Sequence, residues 1–146
     1  MDIKKIRELN IAKNQFHLSR EIKEDIDYLK WIEFIDNNQN YFKWRENTAK
    51  GKETLVNINK IPESFRERVL EGLNKLVCYA GFDEAKGSYD INVGYVKGYN
   101  RISINFERTP KIEDLKILLE MANHLDALLL KDGTEIIDEK IIDAKR

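Results

Sequence analysis

Glu120 and His124 form the pair of side chains whose types and spacing best suit acid–base chemistry. They are separated by one helical turn in a segment with a helical apolar pattern, so both can meet on one helix face. A carboxylate beside an imidazole can hold or transfer a proton, which makes the pair a candidate for general acid–base catalysis. On a solvated helix face such pairs are usually ordinary surface residues, and we therefore assign no catalytic residue.

Other chemically capable side chains lack the neighbours that their chemistry requires. His17 and His124 lie far apart in the sequence, and two histidines fall short of the three or four protein ligands of a zinc site. Cys78 follows Leu76 and Val77 in an apolar run, which favours a small buried side chain over a reactive thiol. Hydroxyl residues fall mainly at predicted caps and turns, where bonds to the local backbone explain them. We predict no metal and no cofactor.

Residues 41–54, YFKWRENTAKGKET, combine three aromatic with four basic side chains. Rings among cations could stack on single-stranded nucleic acid, but Glu46 and Glu53 dilute the positive charge. A phosphate loop would need Ser or Thr where Glu53 stands. We favour rings that cover the end of the core and hold the connection between two helices. The next alternative is a protein-binding surface, with Tyr41, Trp44 and Arg45 as the partner-binding residues. Nucleic-acid binding through 41–52 is less favoured.

Length and composition narrow the class of protein. The chain has 146 residues, of which 42% are hydrophobic, and its net charge is −1. This length is typical of one domain, and the near-zero charge argues against a general nucleic-acid binder. No apolar run approaches the ~20 residues of a membrane span. One cysteine and a charged N-terminal segment lead us to expect a cytoplasmic protein.

Apolar periodicity predicts the elements that position these side chains. Alternation predicts one hairpin over 89–106, and Asp132-Gly133 between apolar runs predicts a second over 128–137. Helical spacing predicts helices from just after Ser19 to about Ile35, and over 62–80 and 111–126. The predicted fold is a single α+β domain over 1–146. Its antiparallel sheet of two hairpins is packed on one face by amphipathic helices, and residues 1–18 form a loosely attached arm or helix.

The alternation also assigns side chains to the two faces of the first hairpin. Those predicted to face helices 62–80 and 111–126 are Tyr89, Ile91, Val93, Ile102, Ile104 and Phe106. Those predicted to be wet or covered by a partner are Asp90, Asn92, Ser103 and Asn105. One apolar and one polar face is the usual pattern of an antiparallel sheet that is covered on one side.

Two acidic clusters are candidates for contact with a basic partner. One contains Glu21, Glu24, Asp25 and Asp27, and the other contains Asp132, Glu135, Asp138 and Glu139. Exposed carboxylates can attract a basic protein and raise its association rate. We favour the second cluster, because a hairpin can present it rigidly, whereas the helix dipole partly explains the first.

The segment ISINFERTPKIEDLKILLEMANHLDALLLKDGTEIID, residues 102–138, resembles the closing part of many small bacterial immunity-type proteins. The resemblance is architectural: an alternating strand, an amphipathic helix and a short strand that turns on Asp-Gly. It implies a cytosolic protein without a cofactor that binds and blocks a cognate toxin. We carry over no functional residues from it. The alternative is a small enzyme or ligand-binding domain with a pocket between the sheet and the helices.

Overall fold

The computed structural model describes residues 1–145, and in this range one antiparallel sheet is combined with α-helices, which confirms the predicted α+β class. The strands are β1 (Glu8–Ala12), β2 (Lys43–Trp44), β3 (Val77–Asp83), β4 (Ser88–Val96), β5 (Arg101–Phe106), β6 (Leu128–Lys131) and β7 (Glu135–Ile136). The α-helices are α1 (Tyr28–Asp36), α2 (Ala49–Val56), α3 (Glu63–Gly72), α4 (Ile112–His124) and α5 (Glu139–Asp143). Across residues 1–145, every helix is too short or too polar to cross a bilayer.

Strand β1 joins the two predicted hairpins into one sheet with the order β2-β3-β4-β5-β1-β6-β7. It pairs with β5 on one side and with β6 on the other, and Leu9 and Ile11 are fully buried. The prediction of a loosely attached arm or helix over residues 1–18 was therefore wrong. Ile3, Ile6 and Leu9 fall at helical spacing, which favours a helix. The period of two that is typical of a strand is present only between Leu9 and Ile11.

Both predicted hairpins are present. Strands β4 and β5 pair around a turn that contains Asn100 and Gly98 with positive φ, and β6 and β7 pair around Asp132 and Gly133. Asp132 has a φ of 56° and Gly133 a φ of 73°, which are the left-handed conformations that a tight hairpin turn requires. The sheet nevertheless has more strands than the two hairpins that we predicted, because β1, β2 and β3 also belong to it.

Helices α1 and α4 cover one face of the sheet and pack against each other. The inward residues predicted from alternation are confirmed for Ile91, Val93, Ile102, Ile104 and Phe106, which all lie in this core. Tyr89 is an exception. It is half-buried, and its ring contacts Tyr79 and Phe82 instead of the helices. Asp90 is also buried rather than wet, and it forms ion pairs with Lys86 and Arg108.

The predicted helix over 62–80 divides into helix α3 and strand β3. Helix α3 ends at Gly72, and Lys75 then takes a positive φ of 54°, which stops helical continuation. Residues 77–83 instead pair with β4, since β-branched and aromatic side chains such as Val77, Tyr79 and Phe82 favour a strand. Helix α3 buries none of its residues, so its predicted position on the apolar face was wrong.

The first helix begins at Tyr28, not after Ser19 as predicted, because Asp27 is its N-cap and accepts a hydrogen bond from the Lys30 amide at 3.2 Å. The preceding segment crosses to the opposite face of the sheet. There Ile22 and Phe16 pack on a second, smaller apolar cluster. That cluster contains Ala12, Leu128 and Leu130 from strands β1 and β6.

Candidate functional site

The rings of residues 41–44 belong to the core. Trp44 is 3% exposed, its Nε1 donates to the Asp36 carboxylate at 2.8 Å, and its ring meets that of Trp31 edge-on at 5.5 Å. Phe42 is completely buried. The prediction that this segment anchors the core is confirmed. The assignment of Trp44 to partner binding or base stacking was wrong, since its ring offers no accessible face.

Tyr41 and Arg45, the other two residues predicted to bind a partner from this segment, have different environments. Tyr41 is half-buried and bonded to a carboxylate, whereas Arg45 is exposed at the start of a short 3-10 helix (Arg45–Asn47). Gly51 lies within α2, and a Cβ there would be 1.9 Å from the Arg45 carbonyl oxygen. The glycine therefore permits close packing of α2 on residues 45–47, which is a structural role.

A cleft opens where the chain leaves strand β2. Strands β2 and β3 pair only at Lys43 with Tyr79 and at Trp44 with Cys78, and the chain before Lys43 diverges from β3. The gap has a volume of about 460 Å³. We call it the Arg108 cleft, and its lining includes Tyr41, Lys43, Gly81, Phe82, Tyr89, Arg108, Lys111, Glu113 and Asp114. It lies between one edge of the sheet and the first turn of α4.

A network of ionic hydrogen bonds forms the inner wall of the Arg108 cleft. Asp114 is buried and accepts three hydrogen bonds: from the Tyr41 hydroxyl at 2.5 Å, Arg108 Nη1 at 2.7 Å and the Lys111 amide at 2.8 Å. Arg108 Nε also lies 3.3 Å from Asp90, and Asp90 in turn lies 3.1 Å from Lys86 Nζ. The network therefore joins the chain just before β2 and just after β5 to β4 and α4.

Hydrogen bonding sets the protonation state of this network. Burial alone would raise the pKa of Asp114, but the bonds from Arg108, Tyr41 and the Lys111 amide outweigh it and hold this pKa below its ordinary value. Burial, reinforced by the bond to Asp114, raises the pKa of the Tyr41 hydroxyl. Asp114 is thus a stable carboxylate, and Tyr41 a stable donor. Neither is poised to exchange a proton near neutral pH.

We expect the lowered pKa of Asp114 to make stability fall in acid. The unfolded carboxyl takes up a proton near its ordinary value of 3.8, before the folded one does. The contribution of the ionised Asp114 to the free energy of unfolding is therefore complete well above pH 3.8, and it is lost as the pH falls through the folded pKa. Urea unfolding of the protein and of Asp114→Asn between about pH 2 and 7 measures this difference. Equal losses for both proteins in acid would contradict the assignment.

The second exposed feature is the segment 49–72, which contains α2 and α3. Four of its apolar side chains are exposed: Leu55, Val56, Phe65 and Leu70. Phe65, Val69 and Leu73 follow one another at helical spacing and form the apolar stripe of α3. Phe65 is 52% exposed, Val69 is half-buried and Leu73 is buried. The helix is thus anchored just beyond its C-terminal end, at Leu73, whereas Phe65 and Leu70 leave apolar surface uncovered.

The acidic cluster near the C-terminus is at the other edge of the sheet, by β7. Its members Asp132, Glu135, Asp138 and Glu139 are all exposed, although Lys131 pairs with Asp132 and Asp138 caps α5. The acids of the first cluster contribute to local structure. Asp25, for example, accepts from the Tyr95 hydroxyl at 2.8 Å, and Glu21 from the amides of residues 17 and 18. Partner binding by either cluster stays a prediction.

The pair Glu120 and His124 is exposed on α4 and shares no hydrogen bond or ion pair within residues 1–145. The His124 ring instead lies 5.7 Å from that of Phe34. Cys78 is fully buried, and burial raises the pKa of its thiol. No three His, Cys, Asp or Glu residues in the described part of the chain are grouped to hold a metal ion.

Sequence reasoning missed Arg108 and Asp114. A signal was present for Asp114, because it lies in the first turn of α4, where a carboxylate can accept from the free amides of a helix N-terminus. Nothing local indicated that Tyr41 would be its partner, since the two residues are far apart in the chain. Comparison of the chain with known proteins found no matching family model, no matching curated protein and no matching solved structure.

Proposed function

We propose that this protein is a protein-binding module that docks a partner on the segment 49–72. The observation that carries the proposal is the uncovered apolar surface of α3, which buries none of its own residues although its sequence is amphipathic. An amphipathic helix normally gains its stability by covering its apolar stripe. A helix that leaves this stripe in water is a candidate surface for another protein.

The exposed area has the size expected of a recognition surface. At their observed exposures, Leu55, Val56, Phe65 and Leu70 together present on the order of 400 Å² of apolar surface. A standard interface buries roughly 800 Å² from each partner, of which somewhat more than half is apolar. The apolar area summed over α2 and α3 is therefore comparable to the apolar part of one side of an ordinary interface.

The charges around this surface favour a different protein over a second copy. The basic residues of the segment are Lys50, Lys52, Lys60, Arg66 and Arg68, and its acidic residues are Glu53, Glu63, Glu67 and Glu71. Lys97 pairs with Glu71 at 3.0 Å, so the cations exceed the unpaired carboxylates. Two copies would each bring this excess of cations to the interface, whereas a partner with an acidic rim would be attracted to it. We therefore propose a partner with an apolar surface edged by carboxylates.

A photo-crosslinker placed at residue 65 tests the proposal. The full chain with p-benzoylphenylalanine in place of Phe65 should crosslink to one protein in its host, and the same substitution at Leu29 should not. Leu29 is a matched control because it is 73% exposed but lies on α1. Crosslinks of equal yield at both positions, or to the protein itself, would contradict the proposal.

Binding to the purified partner then gives a quantitative prediction. We expect Phe65→Ser to weaken the affinity by about tenfold or more, since the aromatic anchors of an interface commonly carry at least 1–2 kcal/mol. Leu29→Ser should leave the affinity unchanged. Isothermal titration calorimetry measures both, and thermal unfolding should show that neither exposed substitution affects the fold. An unchanged affinity for Phe65→Ser would remove the segment as the docking surface.

Inhibition of a bacterial toxin, which the resemblance implies, is a specific form of this proposal. It requires that the partner is an enzyme whose activity falls on binding. If a toxin is encoded beside the gene of this protein, co-expression should restore growth, and Phe65→Ser should reduce that protection. A crosslinked partner without toxic activity would leave the binding function in place and exclude the inhibitory one.

A further inference from the structure

The Arg108 cleft is a second site, separate from the segment 49–72, and has the dimensions of a ligand pocket. Its volume of about 460 Å³ is within the range of small-molecule sites. One wall is formed by residues 41–43, and the opposite wall by Gly81, Phe82 and Tyr89. Arg108 and Asp114 close it where α4 begins.

Arg108 is held rigidly yet keeps hydrogen-bonding capacity. Its Nε faces Asp90 at 3.3 Å, and its Nη1 donates to Asp114 at 2.7 Å and to the Thr109 carbonyl oxygen at 3.1 Å. Its Nη2 forms no hydrogen bond within residues 1–145. A Cβ at Gly81 would be 3.1 Å from Nη2, so this nitrogen lies against the β3 wall of the cleft. Two N–H donors on a fixed guanidinium are thus available there.

The surrounding charges favour an anion. Lys43 and Lys111 line the cleft, are exposed and form no ion pair within the described chain. Three carboxylates lie at the cleft: Asp114, bonded to Arg108, Asp90, paired with Arg108 and Lys86, and exposed Glu113. The cations are Arg108, Lys86, Lys43 and Lys111. Cations therefore outnumber carboxylates, and the pre-oriented donors of arginine suit the oxygens of a phosphate or carboxylate.

The β3 wall also presents an aromatic surface. Phe82 is 53% exposed, and its ring lies 4.9 Å from that of Tyr89. Tyr89 in turn stacks on Tyr79 with an interplanar angle of 17° and a centroid distance of 5.3 Å. This support orders the edge of the cleft, so a flat ring could lie against Phe82 at small entropic cost.

We propose that the Arg108 cleft binds a small anion that carries a flat ring, with the oxyanion on Arg108 Nη2 and the ring against Phe82. Lys43 and Lys111 add long-range attraction, and Tyr41 and Asp114 act as positioning residues that hold the guanidinium. The same chemistry fits an aryl phosphate and an aryl carboxylate. This proposed anion site is independent of whether segment 49–72 binds a protein.

Calorimetric titration of the full chain with phenyl phosphate, benzoate and inorganic phosphate tests this site. We expect saturable binding of at least one aryl anion, about tenfold or more tighter than that of inorganic phosphate, because one stacked ring is commonly worth that factor. Whichever aryl anion binds more tightly identifies the preferred oxyanion. Amide shifts at Gly81 and Phe82 in NMR spectra should follow the same isotherm and place the ligand.

Two variants separate the ring contact from the guanidinium contact. Phe82→Ser should remove most of the advantage of the aryl anion, and Tyr99→Ser, a matched aromatic that is 56% exposed in the turn between β4 and β5, should change nothing. Arg108→Lys keeps a charge beside Asp114 but loses Nη2, and should weaken all three anions by about tenfold. The proposal would be overturned if neither aryl anion reached saturation up to about 10 mM. It would also be overturned if Phe82→Ser and Tyr99→Ser had equal effects.

Discussion

We expect Trp44→Ala to lower the free energy of unfolding by about 3 kcal/mol or more, as truncation of a large buried aromatic does. The substitution removes a side chain that is 3% exposed and its edge-on contact with Trp31. It also removes the donor to Asp36 and leaves a cavity where α1 meets the edge of the sheet. Urea unfolding followed by circular dichroism measures the change.

Two controls distinguish loss of packing from loss of a surface contact. Phe65→Ala removes a ring that is half exposed, and should change stability by less than about 0.5 kcal/mol. Trp44→Phe keeps a ring but loses the donor to Asp36, and should cost about 1–2 kcal/mol. A Trp44→Ala protein as stable as the parent would contradict the assignment of this ring to the core.

The sequence predicts those parts of the fold that depend on neighbouring residues. The hairpin of β6 and β7 follows from Asp132-Gly133, since few other residues take two positive φ angles in succession. Helix α4 follows from a long apolar period with a clear end near Leu125, which the structure shows as the C-cap. In both cases local chemistry and the final fold favour the same structure.

The parts that sequence reasoning missed depend on partners distant in the chain. Strand β1 is stabilised by pairing with β5 and β6, both far away in sequence, and its own five residues are too few to show a decisive period. Residues 77–80 fit a helical pattern as well as a strand pattern. Their pairing with β4 decides the outcome, because tertiary contacts override a weak local preference.

The same distinction applies to the functional surfaces. The composition of residues 41–44 suggests a binding surface, but burial removes Phe42 and Trp44 from any interface. Tyr41 lines the cleft and donates a hydrogen bond to Asp114. Phe82 and Arg108 have no unusual local pattern. They become a candidate site only because β3 and the start of α4 meet beside the gap that β2 leaves.

The Arg108 network gives the second large prediction. We expect Arg108→Met to lower the free energy of unfolding by about 3 kcal/mol or more near neutral pH, since removal of one partner leaves a buried charge uncompensated. Asp114 would keep its burial and lose its strongest ionic bond, and Asp90 would keep only Lys86 and its own backbone contacts. Arg101→Met is a matched control. Arg101 is half-buried but bonds the neutral residues Asn10 and Ser19, so its loss should cost only about 1 kcal/mol.

The pH dependence of the Arg108→Met protein separates an orphaned charge from a simple loss of packing. Without Arg108, burial should raise the pKa of Asp114, so that the folded state takes up a proton more readily than the unfolded chain. The deficit relative to the parent should then shrink as the pH falls toward about 4, because protonation removes the buried charge. Arg108→Met combined with Asp114→Asn should recover part of the loss at neutral pH for the same reason. A deficit that stays constant between about pH 7 and 4, with no recovery in the double variant, would show that Arg108 stabilises the fold by packing alone.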